Sequence, residues 1–181
     1  MRLSHSTIFF ARIYLYYLLP FHANQPSYHL LYLFTCAGKP HITQKWVRKT
    51  MDELYHHDIN SISGDEDNGE ISAWYILNSI GIYSFCTGHP SYIFDPPLFK
   101  KATIYFEDGK GLTIHAPEYK TENVYVKSIR QNDNLIENLW ISHKDFVNGG
   151  GGNLTFEMSN EPTTKKTYNK SQLPFLFLPH E

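Results

Sequence analysis

Between Gly64 and Trp74 the chain reads Gly64-Asp65-Glu66-Asp67-Asn68-Gly69-Glu70-Ile71-Ser72-Ala73-Trp74, four carboxylates in six residues followed by an abrupt apolar run. The run continues through Tyr75, Leu77 and Ile80 and closes on Gly81. This pattern predicts an acidic turn feeding a buried helix. Asn68 or Gly69 is the expected N-cap, Glu70 lies in the first turn where the helix dipole favours negative charge, and Gly81 suits the left-handed position after the last turn. Asp65 and Asp67 stand two apart, so in an extended turn both side chains leave on one side. Two carboxylates held so close and backed by an apolar helix repel and lose water, which raises at least one pKa and lets the pair bind a cation or activate a water. An ordinary solvated, helix-capping turn is the simpler alternative. A calcium loop of the EF-hand type fails, because its fifth and twelfth positions fall on Gly69 and Ile76.

Upstream, the pattern is helical from Asn24 to Cys86. Pro26 fits the first helical position after an Asn24 or Gln25 cap, and Leu30, Leu31, Leu33 and Phe34 carry an apolar helix to Gly38. Thr43, Trp46, Val47, Thr50, Met51, Leu54 and Tyr55 recur at helical spacing, while Lys45, Arg48, Lys49, Asp52 and Glu53 take the other face. Asn24 and Asp67 therefore both sit where helices begin. On residue type alone, His29 inside an apolar helix is expected to be a core residue, as are Trp74 and Tyr75.

After Gly88-His89-Pro90 the period shortens to two. Ala102–Phe106 and Leu112–His115 flank Asp108-Gly109, a hairpin signal, and further strands are expected at Val124–Ile129, Leu135-Ile136 and Leu154–Met158. Ser142-His143-Lys144-Asp145 is a capping-box pattern for one short turn. The four glycines from Gly149 to Gly152 read as a hairpin turn, since no strand-to-helix phosphate loop surrounds them. Residues 160–181 read as a linker and tail in which Phe175–Leu178 docks on the body.

The 181 residues suffice for one domain or two small ones, and 41% apolar with 15% aromatic residues is enough to build a core. A formal charge of −2 with no basic stripe argues against nucleic acid and anionic membranes as partners. Cys36 and Cys86 lack metal-ligand spacing and read as small buried hydrophobes. Residues 1–23 are apolar like a leader, yet Arg12 interrupts the run, and the run is too short for a bilayer, which takes about 20 residues. A buried helix, or sequence replacing a true upstream part, is the preferred reading.

The acidic stretch through Tyr75, followed by Gly81-Ile82-Tyr83, resembles the signature of the calcium-dependent, inverting exo-α-mannosidases of glycoside hydrolase family 92. Asn24-Gln25-Pro26-Ser27-Tyr28-His29 resembles that family's Asn-Glu-Pro-Ser-His-His, and Tyr32, Ala37–Pro40 and Thr43–Lys45 continue it. Pro97–Ala102 and Asn123–Val126 resemble its C-terminal β region, so the likeness runs from about Asn24 to Met158. The resemblance implies an α+β fold: helices of part of an (α/α)6 barrel over residues 24–96, then an antiparallel β region over 97–159. It implies Asp67 as general base assisted by Asp65, calcium held by Gln25, Asn24 and Asp67, and sugar contacts from His29 and Asn24. Gln25 replaces a glutamate and removes one negative charge.

The same likeness implies mannose-containing glycans as partners and secretion or a periplasmic setting. An inverting glycosidase also needs a general acid about 6.5–9.5 Å from its base. The family's glutamate acid lies upstream of this region and has no counterpart here. Glu53 is expected on an exposed helix face and Glu66 is expected to point away from the aspartates. The isolated chain is therefore expected to be inactive and to self-associate through exposed barrel helices. A calcium-dependent mannose-binding module and a non-catalytic fragment are the alternatives.

Overall fold

The computed structural model of the chain describes residues 22, 24–59, 62, 64, 66–148, 152–164 and 167–174. The leader-like segment before His22, Asp65, Gly149–Gly151 and the Phe175–Leu178 segment lie outside the described residues.

Helices come first. A 3-10 helix, Gln25–Tyr32, opens with proline in its first turn and passes directly into α1, Leu33–Cys36. Gly38, at a φ of 72°, turns the chain into α2, Pro40–Leu54. Helix α3 spans Glu70–Ser79 and is capped at Gly69, whose φ of 78° needs a residue without a side chain. Gly69 has no side chain to cap with, so Glu66 supplies one. Its carboxylate accepts from the Ser72 amide at 3.1 Å and from the Ser72 hydroxyl at 3.0 Å. The task of Glu66 is therefore to close the start of α3.

The helical pattern expected as far as Cys86 ends at Ser79, because Gly81, at a φ of 92°, turns the chain into β1, Ile82–Tyr83. Strands follow: β2 Ser91–Phe94, β3 Lys101–Tyr105, β4 Gly111–His115, β5 Tyr125–Gln131, β6 Asn134–Ile136 and β7 Trp140–Ser142. Helix α4, His143–Asn148, and β8, Gly152–Ser159, complete the body. The Asp108-Gly109 hairpin joins β3 to β4 as expected. The Ser142 hydroxyl caps α4 by accepting from the Asp145 amide at 3.0 Å and donating to its carboxylate at 2.6 Å.

Two sheets result among the described residues, β1-β2-β7 and β3-β4-β8-β5-β6. Pairing is antiparallel except that β8 runs parallel to β4. Of the four glycines read as a hairpin turn, Gly149–Gly151 lie outside the described residues, and Gly152 opens β8, which pairs with β4 and β5.

Two apolar cores lie on either side of the small sheet. Ile82 and Phe94, opposite each other in the β1-β2 ladder, face a core built on Leu112, Ile114, Leu154 and Phe156. Tyr83 and Ile93, the next pair, face a core of Tyr32, Val47, Met51, Ile71 and Trp74. The period-two alternation of a strand thus makes one wall serve two interiors. Helix α3 does the same around its circumference: Ile71 and Trp74 enter the helical core, and Leu77 packs on the β core. A helix apolar on all sides belongs between two packed layers.

Polar ties hold the layers. Tyr32 donates to Asn78 Oδ1 at 2.8 Å, and Asn78 donates back to the Trp74 carbonyl at 2.7 Å. Buried Arg48 donates to the carbonyls of Pro97 at 3.2 Å and Pro96 at 3.5 Å and lies over the Tyr119 ring. Gln44 accepts from the Val126 amide at 3.3 Å, beside the irregularity in the β5-β8 ladder. Both cysteines are free thiols, Cys36 buried as expected and Cys86 half-buried.

Asp95 is among the buried groups that no such tie satisfies. It is fully buried and neither carboxylate oxygen has a hydrogen-bond partner, so burial pushes its pKa well above the usual carboxylate range. A raised carboxyl pKa means the folded state holds a proton that the unfolded chain releases. Stability is then full below the ordinary carboxylate value and falls as pH rises above it, by at most about 1.4 kcal/mol per pH unit. Asp95→Asn removes this dependence. Urea unfolding at pH 5 and pH 8 is expected to show the variant gaining on the parent chain at pH 8, whereas an unchanged difference between the two pH values contradicts the assignment. Glu66→Gln weakens the closure of α3 and is expected to cost about 1 kcal/mol in the same assay. No change on substitution contradicts the capping role.

Candidate active site

The first turn of the 3-10 helix and the start of α3 meet at one end of the helical core. Tyr28 shows the meeting electrostatically. Its phenol is pushed up to about 12, first by burial and then by the negative charges of Glu66, Glu70 and Asp67. Tyr55, raised by burial above all, also feels Glu66, and Tyr83, likewise raised by burial, also feels Glu70 and Tyr28. The helices that follow the acidic turn and the Asn24-Gln25 turn, separated by some forty residues of sequence, thus share one packed cluster of aromatic side chains, the chamber between the two turns.

His22 lines that chamber. Its ring lies 4.2 Å from the Trp74 ring centre and 4.9 Å from that of Tyr28, and its Nε2 pairs with the Tyr55 hydroxyl at 2.9 Å. Burial lowers its pKa to about 4, so it is neutral at physiological pH. Tyr55 stacks on both Trp74 and Tyr75. Trp74 is buried to 1% exposure and is a core residue, as residue type suggested.

Each residue singled out from the sequence has a definite place. Asp67 is exposed on the turn before α3, and its carbonyl accepts from the Glu70 amide at 3.2 Å. Asn24 is exposed and extended, and its side chain does not cap the helix. Its carbonyl instead accepts from the Ser27 amide at 3.0 Å and hydroxyl at 2.7 Å. The capping role that residue type favoured for Asn24 is thus not realised. Gln25 is half-buried with its Nε2 enclosed and unpartnered. His29 is exposed, which corrects its reading as a core histidine. It lies on the turn after Gln25, and exposure leaves its ring available to a ligand.

Sequence reasoning missed four members of this neighbourhood: His22, Tyr28, Tyr55 and Tyr83. Tyr28 carried a signal, standing three residues after Gln25 in a turn begun by proline, where side chains of a 3-10 helix eclipse. His22 carried none, since it precedes the first element described.

The metal question turns on donor chemistry. Among the described residues no three or more His, Cys, Asp or Glu side chains cluster as metal ligands. Asn24, Gln25 and Asp67 offer amide and carboxylate oxygens, the donors a hard divalent cation takes. The Gln25 amide is not spent on any internal hydrogen bond through its nitrogen. The set fits calcium in kind, with one carboxylate among the described donors.

Comparison with known proteins places the chain in one family. Residues 13–160 match the glycosyl hydrolase family 92 catalytic domain, a match that begins upstream of the first motif at Asn24. An uncharacterized secreted glycosidase of Arthroderma benhamiae is 27% identical over 135 residues, 73% of this chain and 17% of that protein. The structure resembles a GH92 α-mannosidase of Bacteroides thetaiotaomicron solved with mannoimidazole, at a TM-score of 0.80 and 29% identity over 86% of this chain and 20% of that one. It also resembles a GH92 inverting mannosidase of the same species, at a TM-score of 0.77 and 32% identity over 85% of this chain and 21% of that one. The chain thus spans about a fifth of the solved relatives. With its motifs, fold and family match in agreement, the chain belongs to glycoside hydrolase family 92.

Proposed function

We propose that this chain carries the base and metal side of a mannosidase site, directed at terminal α-linked mannose and working with inversion. The observation that carries the reading is that the helix after the Asn24-Gln25 turn and the helix after the acidic turn pack into one core, where Tyr28 and Trp74 both lie against the His22 ring. Family membership supplies the chemical class. Asp67 is exposed on the turn before α3, where a carboxylate can take a proton from a water attacking the anomeric carbon. Asp65 assists it.

Asn24, Gln25 and Asp67 hold calcium, and Asn24 and His29 contact sugar hydroxyls. Bound there, calcium would polarise the hydroxyls of the sugar it touches. The chain's own residues orient the ring and accept the proton. The helices are part of an (α/α)6 barrel completed by sequence outside this chain, and the general acid belongs to that other part. The setting is secretory or periplasmic, in keeping with the relative described as a secreted glycosidase. Among the described residues no helix is long and apolar enough to cross a membrane.

Two measurements test this. Calorimetry with mannose is expected to give saturable heat only when calcium is present, and Asp67→Asn is expected to weaken binding about tenfold, near 1.4 kcal/mol. Absence of calcium-dependent binding contradicts the reading. Incubated with calcium and an aryl α-mannoside, the chain alone is expected to release no aglycone. Turnover that Asp67→Asn abolishes contradicts the assignment of the acid to another part of the protein.

A further inference from the structure

The β region carries a cleft of its own. It has a volume of about 750 Å³, within the range of about 300–1,000 Å³ of sites that take small organic ligands. The β3-β4 turn lends it Phe106, Glu107 and Lys110, α4 lends it His143 and Phe146, and β2 lends it Tyr92. Tyr92 leaves β2 on the same face as Phe94. Tyr92, Phe106 and Phe146 all pack with the β core, and none of them belongs to the helical core that holds Tyr28 and Trp74.

Both walls of the cleft are held in place before any ligand arrives. In the turn, the Phe106 amide donates to the Lys110 carbonyl at 2.8 Å, and the Lys110 amide donates to Asp108 Oδ1 at 3.0 Å. On the α4 side, the His143 amide donates to the Pro90 carbonyl at 2.8 Å, and its Nδ1 pairs with the Tyr92 hydroxyl at 2.7 Å. The Tyr92 ring in turn packs 5.0 Å from that of Phe146. Side chains fixed in this way lose little freedom on binding.

We infer that this cleft binds a segment of two or more uncharged, β-linked sugar rings with equatorial hydroxyls, as a glycan site separate from the proposed mannosidase site. The inference goes beyond the function proposed above and draws only on membership in a glycosidase family. Equatorial hydroxyls leave an unbroken patch of axial C–H bonds on the sugar, and the negative face of an aromatic ring attracts such a patch. Glu107, an exposed carboxylate, accepts from sugar hydroxyls. With Nδ1 spent on Tyr92, the exposed His143 ring offers Nε2 to another hydroxyl, as donor or acceptor. Asp108 and Lys110, 3.0 Å apart, offset each other's charge, so Glu107 leaves the lining negative and disfavours acidic sugars. Two carboxylates, one of them paired with Lys110, are too few oxygens for calcium, so binding here needs no metal. A single sugar ring covers only part of the cleft, and mannose alone does not load it.

The test titrates the full, isotope-labelled chain in EDTA with cellobiose and with N,N′-diacetylchitobiose, followed by amide chemical shifts. Either disaccharide is expected to give saturable shifts at Glu107, Lys110 and His143, with a Kd on the order of 1 mM, while Ile71 and Trp74 stay unmoved. His143→Ala and Glu107→Gln are each expected to weaken that binding about fivefold. Both replace exposed side chains, and the dispersion of the same spectra shows that the variants are folded. Aromatic rings also attract organic cations, so choline serves as the competing probe. Saturation of the cleft by choline but by neither disaccharide overturns the inference, as does the absence of any saturable shift. Folded variants that bind as tightly as the parent overturn it too. Because EDTA silences the calcium-dependent site, none of these failures touches the proposed function, and loss of calcium-dependent mannose binding leaves this cleft unaffected.

Discussion

Much of this structure depends on two elements that each face two interiors. In the β1-β2 ladder, Ile82 and Phe94 look into the β core and Tyr83 and Ile93 into the helical one. Helix α3 divides its circumference in the same way between Trp74 and Leu77. Neither core could be removed without stripping the other of a wall. The buried ties follow the same logic, with Arg48 reaching from α2 to the carbonyls after β2 and Gln44 reaching from α2 to β5. Dense packing of this kind is bistable at best and does not deform gradually, so it fixes where α3 begins.

The start of α3 carries the acidic turn on which the proposed chemistry rests. Because Trp74 is anchored at 1% exposure and Glu66 closes the first turn through Ser72, Asp67 is held in a closed turn at the entrance to the helix. On the other side, the 3-10 helix places Gln25 and Tyr28 on one face and leaves Asn24 and His29 exposed. The aromatic residues between these turns have two tasks. They fill the end of the helical core, and they shield one another from water, which is why burial leads the causes that raise Tyr28, Tyr55 and Tyr83.

A good part of this was legible in the residues. The amphipathic period of α2, Gly69 and Gly81 at the two ends of α3, and the Asp108-Gly109 hairpin each follow from a local rule that the structure obeys. The small sheet was not legible, for a physical reason. Strands β1 and β2 are buried on both faces, so they show no polar alternation, and β1 is only two residues long. The turn between β5 and β6 uses Asn132 and Asp133 at positive φ in place of the glycine that would have announced it. The cap of α3 was hidden because it comes from Glu66, three residues before the capping position. His22 and Tyr28 belong to the chamber through tertiary contact alone, which no spacing rule encodes.

Native-state hydrogen exchange tests the central claim most directly, because it reports whether α3 opens by itself or only with the whole. If the helix is clamped between both cores, the amides of Leu77 and Asn78 in α3 exchange with the same opening free energy as that of Phe156 in β8, through global unfolding. Exchange of the α3 amides at a clearly lower free energy, while Phe156 stays protected, contradicts the account, since the acidic turn would then ride on a helix that neither core holds in place.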